Sequence, residues 1–194
     1  MYRILVVWLC CAIPMISSAQ RAFTKPDFAS ASYYGDLLIF SGFKLSAGWE
    51  LSSKTKARKR SGKSVVKSTF LVPSLVNFGI REGQKNWQLG TDLERIRVHS
   101  KGRAYRLLQA GLYGNWTFNS GPTYVYDGTD VNAYYGTSRF YLVPDFAFGF
   151  GRKFGSLSRP IDLAAKFHAY GKMPYNSFFA LPGFAVELRL KYAL

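Results

Sequence analysis

The chain has 194 residues, with 26 lysines and arginines against 11 aspartates and glutamates, for a net charge of +15. That length fits one domain. Cys10 and Cys11 are its two cysteines, so beyond the start of the chain there is no disulfide framework, no thiolate nucleophile and no cysteine metal site.

Residues 1–19 have the pattern of a cleaved signal peptide. Arg3 gives the positive start, Ile4 to Ile16 an apolar run broken by Pro14, and Ser17-Ser18-Ala19 small residues before Gln20. The run is short for a spanning helix, which needs about 20 residues. Leu9, ahead of Cys10, is not the small residue a lipoprotein site wants. Loss of Arg3 takes the net charge from +15 to +14. No later segment approaches about 18 uninterrupted apolar residues, so a helical membrane protein is not expected. Residues 20–35 are expected to form a periplasmic lead-in.

From residue 36 the chain alternates in short pulses. Phe43, Leu45, Ala47, Trp49 and Leu51 share a face in 36–51. Pulses follow at 64–79, at 86–98 and at 103–118, where Leu108, Ala110, Leu112, Gly114, Trp116 and Phe118 are in phase. The segment 122–135 is weakest. Phe140, Leu142, Phe146, Phe148 and Phe150 mark 138–154, and Ile161, Leu163, Ala165, Phe167 and Ala169 mark 160–171. The last pulse, 178–194, sets Phe184, Val186, Leu188, Leu190, Tyr192 and Leu194 against Glu187, Arg189 and Lys191. A period of two with apolar residues on one side and full charges on the other means two different solvents.

Eight pulses are an even number of strands, as a small closed barrel requires. Turn chemistry separates them, as at Asn119-Ser120-Gly121-Pro122 and Gly155-Ser156-Leu157-Ser158. With both termini on the periplasmic side, 52–63, 99–102, 127–137 and 172–177 are expected outside, and 80–85, 119–121 and 155–159 inside. Pro73, Pro144 and Pro182 sit in an echoed aromatic–apolar–apolar–Pro pattern and are expected at bulges or bends.

An export signal, eight amphipathic pulses and an alternating C-terminal strand resemble the small eight-stranded outer-membrane β-barrels of Bacteroidota-type bacteria. The aromatic share of 17% suits their interfacial girdles. The resemblance implies an all-β, closed, antiparallel eight-stranded transmembrane barrel over 36–194 in the bacterial outer membrane. It also implies that the barrel-insertion machinery reads the C-terminal strand. The chain departs from the pattern by ending in Leu194, with Tyr192 two residues earlier.

Taking the apolar face of each strand as lipid-facing leaves a charged set inside: Lys44, Glu50, Asp92, Glu94, Asp145, Asp162, Lys166, His168, Glu187, Arg189 and Lys191. Interleaved opposite charges in so narrow an interior read as a salt-bridged plug. The basic surplus lies elsewhere. Lys54, Lys56, Arg58, Lys59, Arg60 and Lys63 crowd one loop, and Arg95, Arg97, Lys101, Arg103 and Arg106 flank the next. Both clusters are expected on the outer side, where they would engage lipopolysaccharide phosphates or another anionic surface partner, including an envelope protein complex. Aromatics are not interleaved with these basic runs, so no base-stacking platform for nucleic acid is visible.

His99 and His168 are the two histidines. Some barrels of this size modify lipid A with histidine, serine and an acid, which makes both weak catalytic candidates. Neither stands in a His-x-Ser setting. No metal or other cofactor is expected, because the ligand spacing is missing. The leading expectation is a non-enzymatic barrel with a structural, adhesive or accessory role. A lipid A acyl hydrolase or acyltransferase, and a soluble calycin-like ligand-binding barrel, are the alternatives.

Overall fold

The computed structural model describes residues 25–36, 40–57, 64–79, 83–99, 103–126, 128–154, 161–174 and 179–194. The expected signal peptide lies outside them. Among the described residues ten strands form: β1 (Phe28–Asp36), β2 (Phe40–Ala57), β3 (Ser64–Gly79), β4 (Gln84–His99), β5 (Ala104–Asn119), β6 (Thr123–Tyr126), β7 (Val131–Tyr134), β8 (Thr137–Phe154), β9 (Ile161–Lys172) and β10 (Leu181–Ala193). Eight of them close a barrel in the order β1-β10-β9-β8-β5-β4-β3-β2, every pair antiparallel, while β6 and β7 make a separate two-stranded sheet. The fold is therefore all-β with an eight-stranded barrel, as expected, and closure leaves the barrel sheet without an edge.

The membership of the eight differs from the sequence expectation. Residues 28–36, expected as part of a lead-in, are a barrel strand that pairs with both β2 and β10. Residues 122–135, expected as the fifth barrel strand, form the β6–β7 hairpin instead. The physical reason is the amplitude of the pattern. Segment 28–36 puts Ala29 and Ala31 outward and Ser30 and Ser32 inward, a weak contrast that still suits a wall with a polar interior. In the hairpin, all four residues of β7 are exposed.

Substituting one strand for the other keeps the count at eight but reverses the first four expected strands. Phe28 pairs with Ala193, so both ends of the barrel chain lie at one rim. β2 ends and β3 begins at that same rim, as do β4 and β5, and β8 and β9. The facing ends of β1 and β2, β3 and β4, β5 and β8, and β9 and β10 lie at the distal rim. The basic segments are thus on the termini's side of the barrel, and the expectation that they lie opposite the termini is corrected.

The ladders fix the barrel's geometry. One perpendicular row runs Lys54, Lys67, Arg97, Arg106, Phe150, Ala165, Leu188, Tyr33, Phe43. It returns to β2 eleven residues from its start, with one of these taken up by the bulge between Glu50 and Ser52. A shear of ten on eight strands corresponds to a tilt of about 40°. Register is kept past Pro73, Pro144 and Pro182, although the β2–β3 ladder skips Pro73 and Val72, so the three prolines are not at bulges. Regular β8–β9 pairing stops at Asp145, beside Pro144, and one bridge from Leu142 to Met173 follows.

Side chains alternate as the pleat demands. Leu112 on the outer wall is 57% exposed, and Asp92 inside is 0%. Apolar outside and charged inside is the reverse of a water-soluble barrel. The interior is layered. Phe28, Phe70, Val72, Ile96, Tyr105, Leu107 and Ala164 pack at the termini end. Tyr34, Val76, Phe78, Tyr113, Tyr141, Val143 and Tyr170 pack toward the distal end. Polar and charged side chains fill the space between. Room for the rings comes from facing glycines: a Cβ on Gly151 would meet the Tyr105 ring. Gly151→Val is expected to destabilise the barrel by about 1–3 kcal/mol through overpacking, read as a lower temperature for the heat-induced gel shift.

Candidate functional site

The interior polar layer is built from inward positions on six strands. Lys44 (β2), Asp92 and Glu94 (β4), Gln109 (β5), Asp145 (β8), Lys166 and His168 (β9), and Glu187 and Arg189 (β10) are all buried. Glu187 is its hub. Lys166 Nζ lies 3.2 Å from it, Lys44 Nζ 3.5 Å, and His168 Nε2 3.0 Å. Ser32 Oγ on β1 donates to it at 2.8 Å. Arg189 donates to both oxygens of Glu94, at 2.6 and 3.0 Å. Lys166 reaches Glu94 at 3.2 Å and Gln109 at 2.8 Å. Lys44 reaches Asp92 at 3.0 Å, and Tyr113 donates to the same carboxylate.

The layer is close to neutral by construction. Four carboxylates (Asp92, Glu94, Asp145, Glu187) face Lys44, Lys166, Arg189 and the His168 ring. Buried charges persist only when paired and hydrogen-bonded, and these are both. The space among Tyr34, Lys44, Gln88, Tyr113 and Asp145 admits no water-sized sphere. The expected network of Asp92, Glu94, Asp145, Lys166, His168, Glu187 and Arg189 is therefore assembled. Asp162 and Lys191 form a looser pair at 3.8 Å nearer the termini end, where Lys191 lies 4.0 Å above the Phe28 ring.

Glu50 is not part of the network. It is exposed, with its backbone N–H donating to Asp27. β1 begins at Phe28, opposite Gly48, so β2 overhangs its neighbour beyond that point. An inward-phased residue there meets no interior. Sequence reasoning missed Gln109, Tyr113 and Ser32. The signal was available, because all three lie in phase with charged inward positions on their own or paired strands.

His168 is 3% exposed. Its Nδ1 lies 2.8 Å from Asp145 and its Nε2 3.0 Å from Glu187. An imidazolium donates to both carboxylates at once. Both ring nitrogens thus face carboxylates in this structure, whereas a triad places one of them on a serine. His99 lies at the end of β4 at the termini rim, where its backbone pairs with Val65. Among the described residues, no group of three or more histidines, cysteines and acids is arranged to hold a metal.

The basic residues form a second feature. Lys54, Lys56, Arg95, Arg97 and Arg106 are exposed on the outer wall near the termini rim, and Arg103 is exposed in the connection there. Lys67, absent from the sequence expectation, joins them by pairing with both Lys54 and Arg97. Arg58, Lys59, Arg60, Lys63 and Lys101 lie outside the described residues. Above this basic zone the wall is apolar. Leu108 to Phe118 covers ten residues, about 25 Å along the axis at that tilt. Trp87, Trp116 and Phe140 cluster at the top of the band, with Trp116 and Phe140 4.9 Å apart.

Fold and interior together define an eight-stranded barrel with an apolar outer wall and a buried, ion-paired polar layer inside. No protein-family model matches the chain, and no curated protein matches it. Among solved structures, a similar chain is described as "Crystal structure of the outer membrane enzyme PagL", with a TM-score of 0.47 and 9% identity, covering 84% of this chain and 97% of that one.

Proposed function

We propose that this chain is an outer-membrane β-barrel that neither conducts nor catalyses, and that serves as an anchored surface protein. The observation that carries the reading is the inverted wall, with an apolar band about 25 Å tall outside and a buried, fully ion-paired interior within. Lipid suits the first and the second leaves no path. Residues 1–19 act as a cleaved export signal on this reading, and the barrel-insertion machinery takes up the β10 strand.

The termini rim faces the periplasm, since outer-membrane barrels carry short periplasmic turns and longer outside loops. The longest connection, 120–136, lies at the distal rim and holds the β6–β7 hairpin with Tyr124, Tyr126, Val131, Tyr134 and Tyr135 exposed. That aromatic hairpin is the element offered to the exterior, in keeping with an adhesive or accessory role. The basic wall then faces the leaflet away from lipopolysaccharide. It engages outer-membrane lipid from the periplasmic side.

Two measurements test this. The full chain is expected to stay in the membrane through high-salt and alkaline washes and to leave it only with detergent. In planar bilayers it is expected to give no stable open current. Release by salt alone, or a steady conductance, overturns the proposal.

A further inference from the structure

The outer wall carries an unusual row. Lys54, Lys67, Arg97 and Arg106 are directly opposite one another across β2, β3, β4 and β5. Like charges placed opposite each other destabilise a sheet, and here three such pairs follow in succession. Arg95 adds a fifth cation on the same face. None of the five makes an ion pair among the described residues. An anion from outside the chain would remove the repulsion.

The row is one-sided. Near the same end of the barrel the outward residues of β9, β10 and β1 are Ile161, Leu163, Leu190, Tyr192 and Ala29, and the exposed cation beyond β5 is Arg152 on the adjoining β8. A general interfacial girdle would surround the barrel, whereas this is a patch. The patch also opens into an apolar groove. Arg95, Arg97 and Arg106 line a depression of about 280 Å³ with Leu108, Phe148 and Phe150. The Arg106 guanidinium lies 6.0 Å over the Phe150 ring, an arrangement that holds it beside the groove. Arg95, Leu108 and Phe148 also line a second groove of about 580 Å³, which continues up the wall past Leu93, Phe146 and Phe167. A cationic mouth leading onto an apolar channel along the barrel axis matches one ligand shape: a phosphate head with an acyl chain.

We propose that this surface is a specific site for an anionic glycerophospholipid of the leaflet at the termini end. Its phosphate is held between Arg97 and Arg106, with Arg95 and Lys67 beside it. Its acyl chain lies over Leu108, Phe148 and Phe146. Arginine suits this role through its forked donors, and basic clusters at membrane surfaces recruit anionic lipid in this way. The site rests on the barrel spanning the membrane.

The test uses the full chain in detergent micelles, titrated with phosphatidylglycerol, phosphatidylcholine or lipid A and followed by native mass spectrometry. Phosphatidylglycerol is expected to be retained in preference to both others. The double variant R97Q/R106Q is expected to lose about thirtyfold in phosphatidylglycerol affinity, while R139Q at the distal rim keeps it. Retained heat-modifiable migration shows that the variants still form the barrel. Equal retention of phosphatidylcholine, a preference for lipid A, or an undiminished R97Q/R106Q overturns the site. A chain that needs no detergent overturns the membrane reading itself, which separates the two failures.

Discussion

Glu187→Leu is expected to lower the stability of the barrel by about 3–5 kcal/mol, because it removes one side of several buried charge contacts at once. Lys44, Lys166 and His168 all face that carboxylate, and Ser32 donates to it. Each of the three cations keeps one other carboxylate: Asp92 for Lys44, Glu94 for Lys166, Asp145 for His168. The layer is left with one excess positive charge in a buried interior. Glu187→Gln preserves the shape and most hydrogen bonds, so its cost comes from charge alone and is expected to be smaller. Denaturant titration of the barrel in lipid vesicles, followed by tryptophan fluorescence, measures both. A loss below about 1 kcal/mol for Glu187→Leu, the scale of an exposed ion pair, would show that the layer is not the buried, desolvated network described.

The second large effect belongs to the wall. Leu112 lies midway up the apolar band, between Leu108 and Trp116 on β5. Leu112→Arg is expected to cost about 2–4 kcal/mol in a bilayer, falling to about 0–1 kcal/mol for the same change near either interface. An exposed position on a water-soluble barrel tolerates such a change within about 0.5 kcal/mol. Phe146→Arg, on the neighbouring strand opposite Ala110, should repeat the midplane cost. Ala104→Arg, beside the basic row, should not. Reversible unfolding of the three variants in vesicles gives the depth profile. A flat profile would favour the soluble calycin-like alternative.

Much of this was readable from residue order, and the parts that were not have identifiable causes. The facing of β10 was legible because Glu187, Arg189 and Lys191 alternate with Leu188, Leu190 and Tyr192, a contrast that two solvents impose. The same contrast revealed Asp92, Glu94, Lys166 and His168. It failed at β1, where alanine outside and serine inside give almost no amplitude. It also failed at Glu50, whose phase is inward but whose neighbouring strand has already ended. The largest error followed from the first of these. Overlooking 28–36 and admitting 122–135 left a plausible count of eight while exchanging the two rims for the first half of the barrel. Parity, which decides sidedness, is sensitive to a single strand in a way that fold class is not. The cationic row was hidden for a different reason. Lys54, Lys67, Arg97 and Arg106 are spread over four strands, and only register brings them together.

The pairing of Phe28 with Ala193 has a consequence for assembly. The two ends of the barrel chain are zipped to each other, and just beyond that pair Leu194 N–H donates to Asp27 O. The hub is tied to that seam, since Ser32 and Glu187 are 155 residues apart and Arg189 and Glu94 are 95 apart. Part of the charge layer, Glu187 with Ser32 and Lys44 and Arg189 with Glu94, forms only when β10 meets the first half of the chain. Contacts this distant make folding slow, and until the barrel closes Glu187 has only Lys166 and His168 of the adjacent β9, while Arg189 lacks Glu94. Removing β1 should therefore do more than shorten the barrel. It should leave an arrested open sheet, its charges uncancelled, for the cell's proteases to find.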